Sequence, residues 1–136
     1  ANNATLGGHI KIGDFVNIGG MTPVHQFVQI GDGAMIAGAS ALSQDIPPFC
    51  MAEGNRAVIR GLNKHRMRKL FDSKEIDKIS HFYKELFAAV SMREFAQKTL
   101  DSMEKSTKKE SIKKICEFVV GSQRGIPLRK VEVENA

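Results

Sequence analysis

A parallel β-helix followed by an α-helical segment is the fold class this sequence predicts, and three observations predict it. Leu6, Ile12, Ile18, Val24, Ile30, Ile36 and Leu42 recur every six positions without a miss. The residue after each anchor is small in six of seven cases, His25 being the exception, and the residue two places before each anchor is small or β-branched (Ala4, Ile10, Val16, Thr22, Val28, Ala34, Ser40). From residue 72 onward the apolar spacing changes to that of amphipathic helices. A period of six fits neither a helix at 3.6 nor a strand at 2, so it signals a repeat architecture. Each hexad then supplies one inward aliphatic knob, a second inward group, and a corner where glycine costs nothing sterically.

In chain order, the coil occupies residues 1–48 and ends at Ile46-Pro47-Pro48, because proline cannot donate to a ladder and restricts the residue before it. The repeat is already in phase at Ala4, so the coil is expected to be the C-terminal part of a longer prism. Residues 49–62 form a strand-like crossing that leaves the coil, and residues 63–136 form the helical domain. A polar helix is expected over 63–70. Asp72 or Ser73 caps the next helix with Glu75 completing the signal, and Ile76, Ile79, Phe82, Leu86, Phe87 and Val90 form its buried stripe. Ser91 with Glu94 opens a third helix carrying Met92, Phe95 and Leu100; residues 101–110 read as a charged turn. A last helix starts near Ser111, buries Ile112, Ile115, Cys116, Val119 and Val120, and is stopped by Gly121. The tail 122–136 reads as polar and loose at its end.

Composition narrows the function classes. The 136 residues carry 20 Lys and Arg against 15 Asp and Glu, and the imbalance is local. Residues 1–55 hold Lys11 against Asp14, Asp32, Asp45 and Glu53, a net −3; the remaining 19 basic and 11 acidic groups give 56–136 a net +8. That half should face something anionic, and phosphorylated ligands or an acidic carrier protein fit; no nucleic-acid recognition motif is present. No apolar run approaches a membrane span and no signal peptide is recognised, so a cytoplasmic protein is expected, with Cys50 and Cys116 as reduced, buried or partly buried thiols.

The hexads resemble those of hexapeptide-repeat acyltransferases, whose coil is a left-handed triangular prism with three hexads per turn, so that residues 18 apart stack. More specific stretches follow one another here: Ala1-Asn-Asn-Ala-Thr-Leu-Gly-Gly-His9, Ile18-Gly-Gly-Met-Thr-Pro-Val-His-Gln-Phe27, Gln44-Asp-Ile-Pro-Pro48, Gly54-Asn55, Gly61-Leu-Asn63 and Arg124-Gly-Ile126. Together they resemble the UDP-N-acetylglucosamine acyltransferases that begin lipid A biosynthesis, and specifically their C-terminal half. The resemblance implies a left-handed parallel β-helix (hexapeptide repeat) followed by an α-helical C-terminal domain. It also implies a homotrimer with sites between neighbouring prisms, and transfer of a (3-hydroxy)acyl group from acyl carrier protein to the sugar 3-hydroxyl of UDP-N-acetylglucosamine. No metal or organic cofactor is implied, since phosphopantetheine arrives with the carrier.

Residue roles follow from the same resemblance. Gly8 would offer a backbone N–H to the thioester oxyanion and His9 would support it. His25 and Gln26 would hold the sugar nucleotide; with stacked coils, backbone points of residues 9 and 25 lie about 8 Å apart. Gly38 would leave the groove floor open and set acyl-chain length. Asn63, with Arg68 or Lys69, would contact the nucleotide and its phosphates, while His65 stands where many members carry an acid. A zinc site on His9 and His25 lacks a third ligand of suitable spacing. The family's general base belongs to an Ala-His-Ile-Ala-His-Asp-like block absent from these residues, so the chain alone is expected to be inactive. The alternative is a non-catalytic trimeric binding or assembly module on the same scaffold.

Overall fold

The computed structural model describes residues 5–103 and 110–128. Six two-residue strands, β1 (Thr5–Leu6), β2 (Lys11–Ile12), β3 (Asn17–Ile18), β4 (Pro23–Val24), β5 (Gln29–Ile30) and β6 (Met35–Ile36), each end on one of the six-residue anchors. They pair in parallel at an offset of 18: Leu6 with Val24, Ile12 with Ile30, Ile18 with Ile36. Three hexads therefore make one turn, and the turns stack into a coil with three flat sides. The anchors Val24, Ile30, Ile36 and Leu42 are buried, as are Thr22, Val28, Ala34 and Ser40 two places before them. In the upper turns both inward rows are those expected from the hexads, whereas the lower anchors Ile12 and Ile18 are exposed and half-buried.

The corners work differently from the expectation. The left-handed backbone position falls three residues after each of the first six anchors, and in five of these a non-glycine residue holds it: His9, Phe15, Met21, Phe27 and Ala39, with Gly33 the sixth. The small residue directly after the anchor is required for another reason. A Cβ on Gly7 would stand 2.7 Å from the backbone nitrogen of Gln26 in the next turn; one on Gly19 would strike Gly38, and one on Gly31 would strike Pro48. Close approach between turns, rather than backbone freedom, selects glycine there.

The hexad register ends at Leu42, but the coil does not end with it. Ile30 bridges Ile46 and Met35 pairs with Met51, both at an offset of 16, so the last turn is two residues short. β7 (Cys50–Glu53) adds a parallel strand beside β6, and β8 (Val58–Leu62) returns antiparallel to it. The crossing segment 49–62 thus carries the third side of the coil upward before the helices begin.

Four helices follow: α1 (Lys64–Leu70), α2 (Ser73–Ala88), α3 (Met92–Ser102) and α4 (Glu110–Gly121). Asn63, Asp72 and Ser91 cap the first three through side-chain oxygens that accept from backbone N–H groups three residues on. Ile76, Ile79, Phe82 and Leu86 of α2 meet Ile112, Ile115, Cys116 and Val119 of α4 in one core continuous with the coil. Val90, expected in the α2 stripe, lies past the helix end at Ala89 and is fully exposed. Asp101 and Ser102 belong to α3, Met103 caps it and Glu110 opens α4; residues 104–109 of that expected turn lie outside the described residues.

The start of the tail is held, contrary to its polar composition. Ile59 N–H donates to Pro127 O at 2.8 Å, and Asp45 N–H donates to Gly125 O at 2.8 Å. Residues 122–128 therefore lie against the top of the coil, and residues 129–136 are outside the described part.

Candidate functional site

Each corner of the coil is a column of stacked turns, and the candidate residues distribute over all three. The first column holds Gly8-His9 beneath Gln26-Phe27. Phe27 N–H donates to Gly8 O at 3.1 Å, and the His9 and Phe27 rings stack with centroids 5.2 Å apart and planes within 5°. Residue 27 thus lies over residue 9, as an 18-residue turn requires. His9, His25 and Gln26 are all exposed on this corner. His25 N–H donates to Leu42 O at 2.9 Å, which fixes its backbone under the final turn. Gly8 is open: a Cβ there meets nothing within 4 Å, and its N–H donates to no described residue. A stacked imidazole and an amide that no described residue engages, both on an exposed corner, are chemically able to orient and hydrogen-bond an incoming polar group.

The second column holds Phe15, Gly33 and Phe49, and α1 is docked on it. Asn63 is buried: its Nδ2 donates to Gly33 O at 3.0 Å, its Oδ1 accepts from Arg66 N–H at 3.3 Å, and its N–H donates to Phe49 O at 2.6 Å. The side chain assigned to nucleotide recognition is thus also the pin that fixes α1 to the coil. The Arg66 guanidinium lies 5.5 Å over the Phe15 ring. His65, Arg68 and Lys69 are exposed, the last two in the final turn of α1, where cations also complement the helix dipole.

The third column holds Met21 and the exposed pair Gly38-Ala39. Ala39 N–H donates to Gly20 O at 2.8 Å, and a Cβ on Gly38 would stand 3.3 Å from that same oxygen. Within one chain, then, His9, His25 and Gln26 occupy one corner, Asn63, Arg68 and Lys69 another, and Gly38 the third. The chain does not gather its own candidates into one pocket. A cavity of about 300 Å³ lies between the second corner and the helices, lined by Phe15, Phe49, Phe71, Asp32 and Lys114 among others, and none of the candidates lines it.

Among the described residues, no group of three His, Cys, Asp or Glu side chains is placed to hold a metal ion, and no helix is long and apolar enough to cross a membrane. The thiols are poor nucleophiles here. Burial pushes Cys50 up to about 12, partly offset by its hydrogen bond with Tyr83, and burial with the nearby Glu117 carboxylate pushes Cys116 to about 11. Tyr83, buried between them, donates to Pro48 O, and desolvation raises it well above its ordinary range.

Sequence reasoning missed the buried carboxylate of Asp45. Its Oδ1 accepts from Gln29 N–H at 2.7 Å; its Oδ2 accepts from Ser122 Oγ at 2.5 Å and from Arg124 N–H at 3.2 Å. The only sequence signal was its place in the Gln44-Asp-Ile-Pro-Pro48 stretch, because its partners lie 77 and 79 residues away.

Comparison with known proteins sets this arrangement among relatives. Residues 45–127 match the family described as UDP N-acetylglucosamine O-acyltransferase, domain 2. The acyl-[acyl-carrier-protein]–UDP-N-acetylglucosamine O-acyltransferase of Helicobacter pylori (strain Shi470) is 54% identical over 136 residues, 99% of this chain and 49% of that protein. The solved UDP-N-acetylglucosamine acyltransferase from Campylobacter jejuni superposes with a TM-score of 0.85 at 51% identity, covering 95% of this chain and 50% of the other. A second crystal structure of a UDP-N-acetylglucosamine acyltransferase gives a TM-score of 0.89 at 53% identity, covering 96% and 50%. The chain spans about half the length of these relatives and matches their C-terminal half.

Proposed function

Because the chain belongs to the UDP-N-acetylglucosamine O-acyltransferase family, we propose that the protein it forms part of moves an acyl group from acyl carrier protein to the 3-hydroxyl of UDP-N-acetylglucosamine, the first step of lipid A biosynthesis. The coil is the left-handed prism of that family, the protein works in the cytoplasm, and it needs no metal or organic cofactor. The observation that carries the reading is the spread of candidates over three corners. His9, His25 and Gln26 cannot share a substrate with Gly38 or with Arg68 and Lys69 of the same chain, since each set sits on a different edge. Three copies around an axis bring one corner of a prism against a different corner of its neighbour, and the groove between them then holds all the groups. A homotrimer is therefore part of the proposal.

In that groove the Gly8 N–H faces the thioester carbonyl and stabilises the oxyanion, a donor role typically worth roughly 10²–10³-fold in rate. His9, held flat by its stack on Phe27, orients the reacting groups. His25 and Gln26 hold the sugar nucleotide, and Arg68 or Lys69 of the neighbouring copy meets its phosphates. Gly38 leaves space for the acyl tail. Of the four histidines, His65 and His81 lie on exposed helical faces. The base that takes the hydroxyl proton belongs to the family's histidine block, which these 136 residues do not include.

A thioester-to-sugar assay with UDP-N-acetylglucosamine and a 3-hydroxyacyl carrier protein tests this on the full-length enzyme and on the 136-residue chain. Turnover by the former only, together with a three-chain mass by light scattering, is expected. Turnover by the short chain, abolished by His9→Ala, would make His9 the base and overturn the assignment. Substrate binding without turnover by the full-length protein would favour an assembly module instead.

A further inference from the structure

The residue that closes the first corner column is Arg124, and nothing in the reaction so far uses it. Residues 122–125 lie on the top of that column, over the turn 43–45. Gln44 Nε2 donates to Arg124 O at 3.2 Å, the Arg124 N–H reaches the buried Asp45 carboxylate, and Gly125 N–H donates to Ser122 Oγ at 3.1 Å. Arg93 Nη2 ties Ser122 O from α3 at 2.7 Å. The Arg124 side chain itself is pinned, its Nε donating to Ser43 O at 2.7 Å on an exposed surface. Ser43 follows Leu42, which bridges Val24 and accepts from His25 N–H. The guanidinium is thus seated one turn above the His25-Gln26 corner, on the same edge of the prism.

Its chemistry is that of an anion clamp. With Nε spent on the coil, the two Nη groups remain, and among the described residues neither meets a carboxylate or another acceptor. The Asp45 carboxylate, which meets the Arg124 backbone, is occupied by three donors. A planar, permanently charged fork held in one orientation suits phosphate oxygens, and little entropy is left to lose on binding. Resting on the acyl-transfer reading above, we propose that Arg124 binds a substrate phosphate at the head of the first-corner groove. Both substrates carry one: the diphosphate of the sugar nucleotide and the phosphodiester of the carrier's pantetheine arm.

Two variants of the full-length enzyme separate this role from a structural one. Gln places an amide nitrogen where the Arg Nε stands, so Arg124→Gln keeps the tie to Ser43 and loses the charge. Arg124→Lys keeps the charge and loses the fork. Binding of phosphate predicts that Arg124→Gln raises KM roughly 10-fold for one substrate with kcat little changed, as for loss of one charge-assisted hydrogen bond, and that Arg124→Lys recovers part of it. A rise confined to UDP-N-acetylglucosamine assigns the diphosphate. A rise confined to the acyl carrier, absent with an acyl-pantetheine that lacks the phosphate, assigns the phosphodiester. Wild-type kinetics in Arg124→Gln, with a lowered melting temperature in Arg124→Lys, would make Arg124 a structural tie and overturn the inference. An inactive wild-type enzyme would instead sink the acyl-transfer reading, leaving direct titration of Arg124→Gln with UDP-N-acetylglucosamine and with phosphopantetheine to decide the site.

Discussion

The coil and the helical domain hold the same kind of apolar core by opposite means. In the coil, strands stack on their equivalents 18 residues away until the last turn, which is two residues short, and the glycines after the anchors face backbone atoms at less than van der Waals distance from where a Cβ would be. In the helices, stripes at helical spacing meet across faces whose side chains can adjust. The coil is therefore rigid and intolerant of added volume, whereas the helical domain should relax around changes. That difference matters for function, because the proposed groove lies along coil corners while α1 contributes from a docked helix.

Gly19→Ala should break the comparison hardest. Its methyl would strike the backbone of Gly38 in the next turn, and backbone cannot rotate away as a side chain can. Overpacking of this kind costs about 1–3 kcal/mol and at times more. Gly121→Ala at the end of α4 meets nothing within 4 Å and should instead gain up to about 1 kcal/mol from helix propensity. Urea melts of the two variants against wild type check the pair. A Gly19→Ala protein as stable as wild type would show that the turns can slide.

Asn63→Ala and Asp72→Ala compare two helix caps, one buried on the coil and one exposed. Loss of a cap alone costs about 0.5–2 kcal/mol. Asp72→Ala should fall at the lower end, whereas Asn63→Ala also strips Gly33 O of its donor and should reach or exceed the upper end. Any kinetic defect of Asn63→Ala must be corrected for that loss, and Arg68→Ala, on an exposed face, is the cleaner probe of phosphate binding.

How much of this was legible in sequence follows the same division. The six-residue period gave the coil and its inward rows, because stacking repeats the same physical demand at every turn. It misled about the corners. Glycine is the familiar sign of a left-handed residue, yet here His9, Phe15, Met21 and Phe27 occupy that conformation and glycine marks close approach instead. The helices announced themselves through caps and spacing, except where Val90 continued a stripe beyond the backbone that carried it. Least legible were contacts between distant segments. Asp45 and Arg124 stand in stretches that carry the resemblance, but nothing local shows that they meet each other and Ser122, and the exposure of Gly8 and the pinning of Asn63 needed the neighbouring turn to be seen.

The buried thiols sharpen the contrast at the seam between the regions, since Cys50 lies on β7 and Cys116 on α4. Both are raised in the fold, to about 12 and about 11, from an ordinary 9.0. The folded state therefore keeps protons that the unfolded chain releases, so their contribution to stability is complete below pH 9 and is lost as pH rises through about 11 to 12. Cys50→Ala with Cys116→Ala should flatten the alkaline limb of a stability–pH curve. Iodoacetamide labelling at pH 8 should be slow in the native protein and follow its unfolding.

Gly8→Ala should have the smallest effect on the fold and is the most informative about the site. Gly8 sits on a coil corner, yet it does not take a left-handed backbone and its Cβ position faces no other turn, so a methyl there projects into open space. Its stability change should stay within about 0.5 kcal/mol. If glycine is present so that a thioester can reach the backbone N–H, the methyl obstructs that approach without touching the scaffold. The full-length Gly8→Ala enzyme should then lose kcat while its melting temperature stays put. Equal activity in Gly8→Ala would remove Gly8 from the oxyanion role, and a matching drop in stability would show that the first corner is packed against something the single chain does not contain.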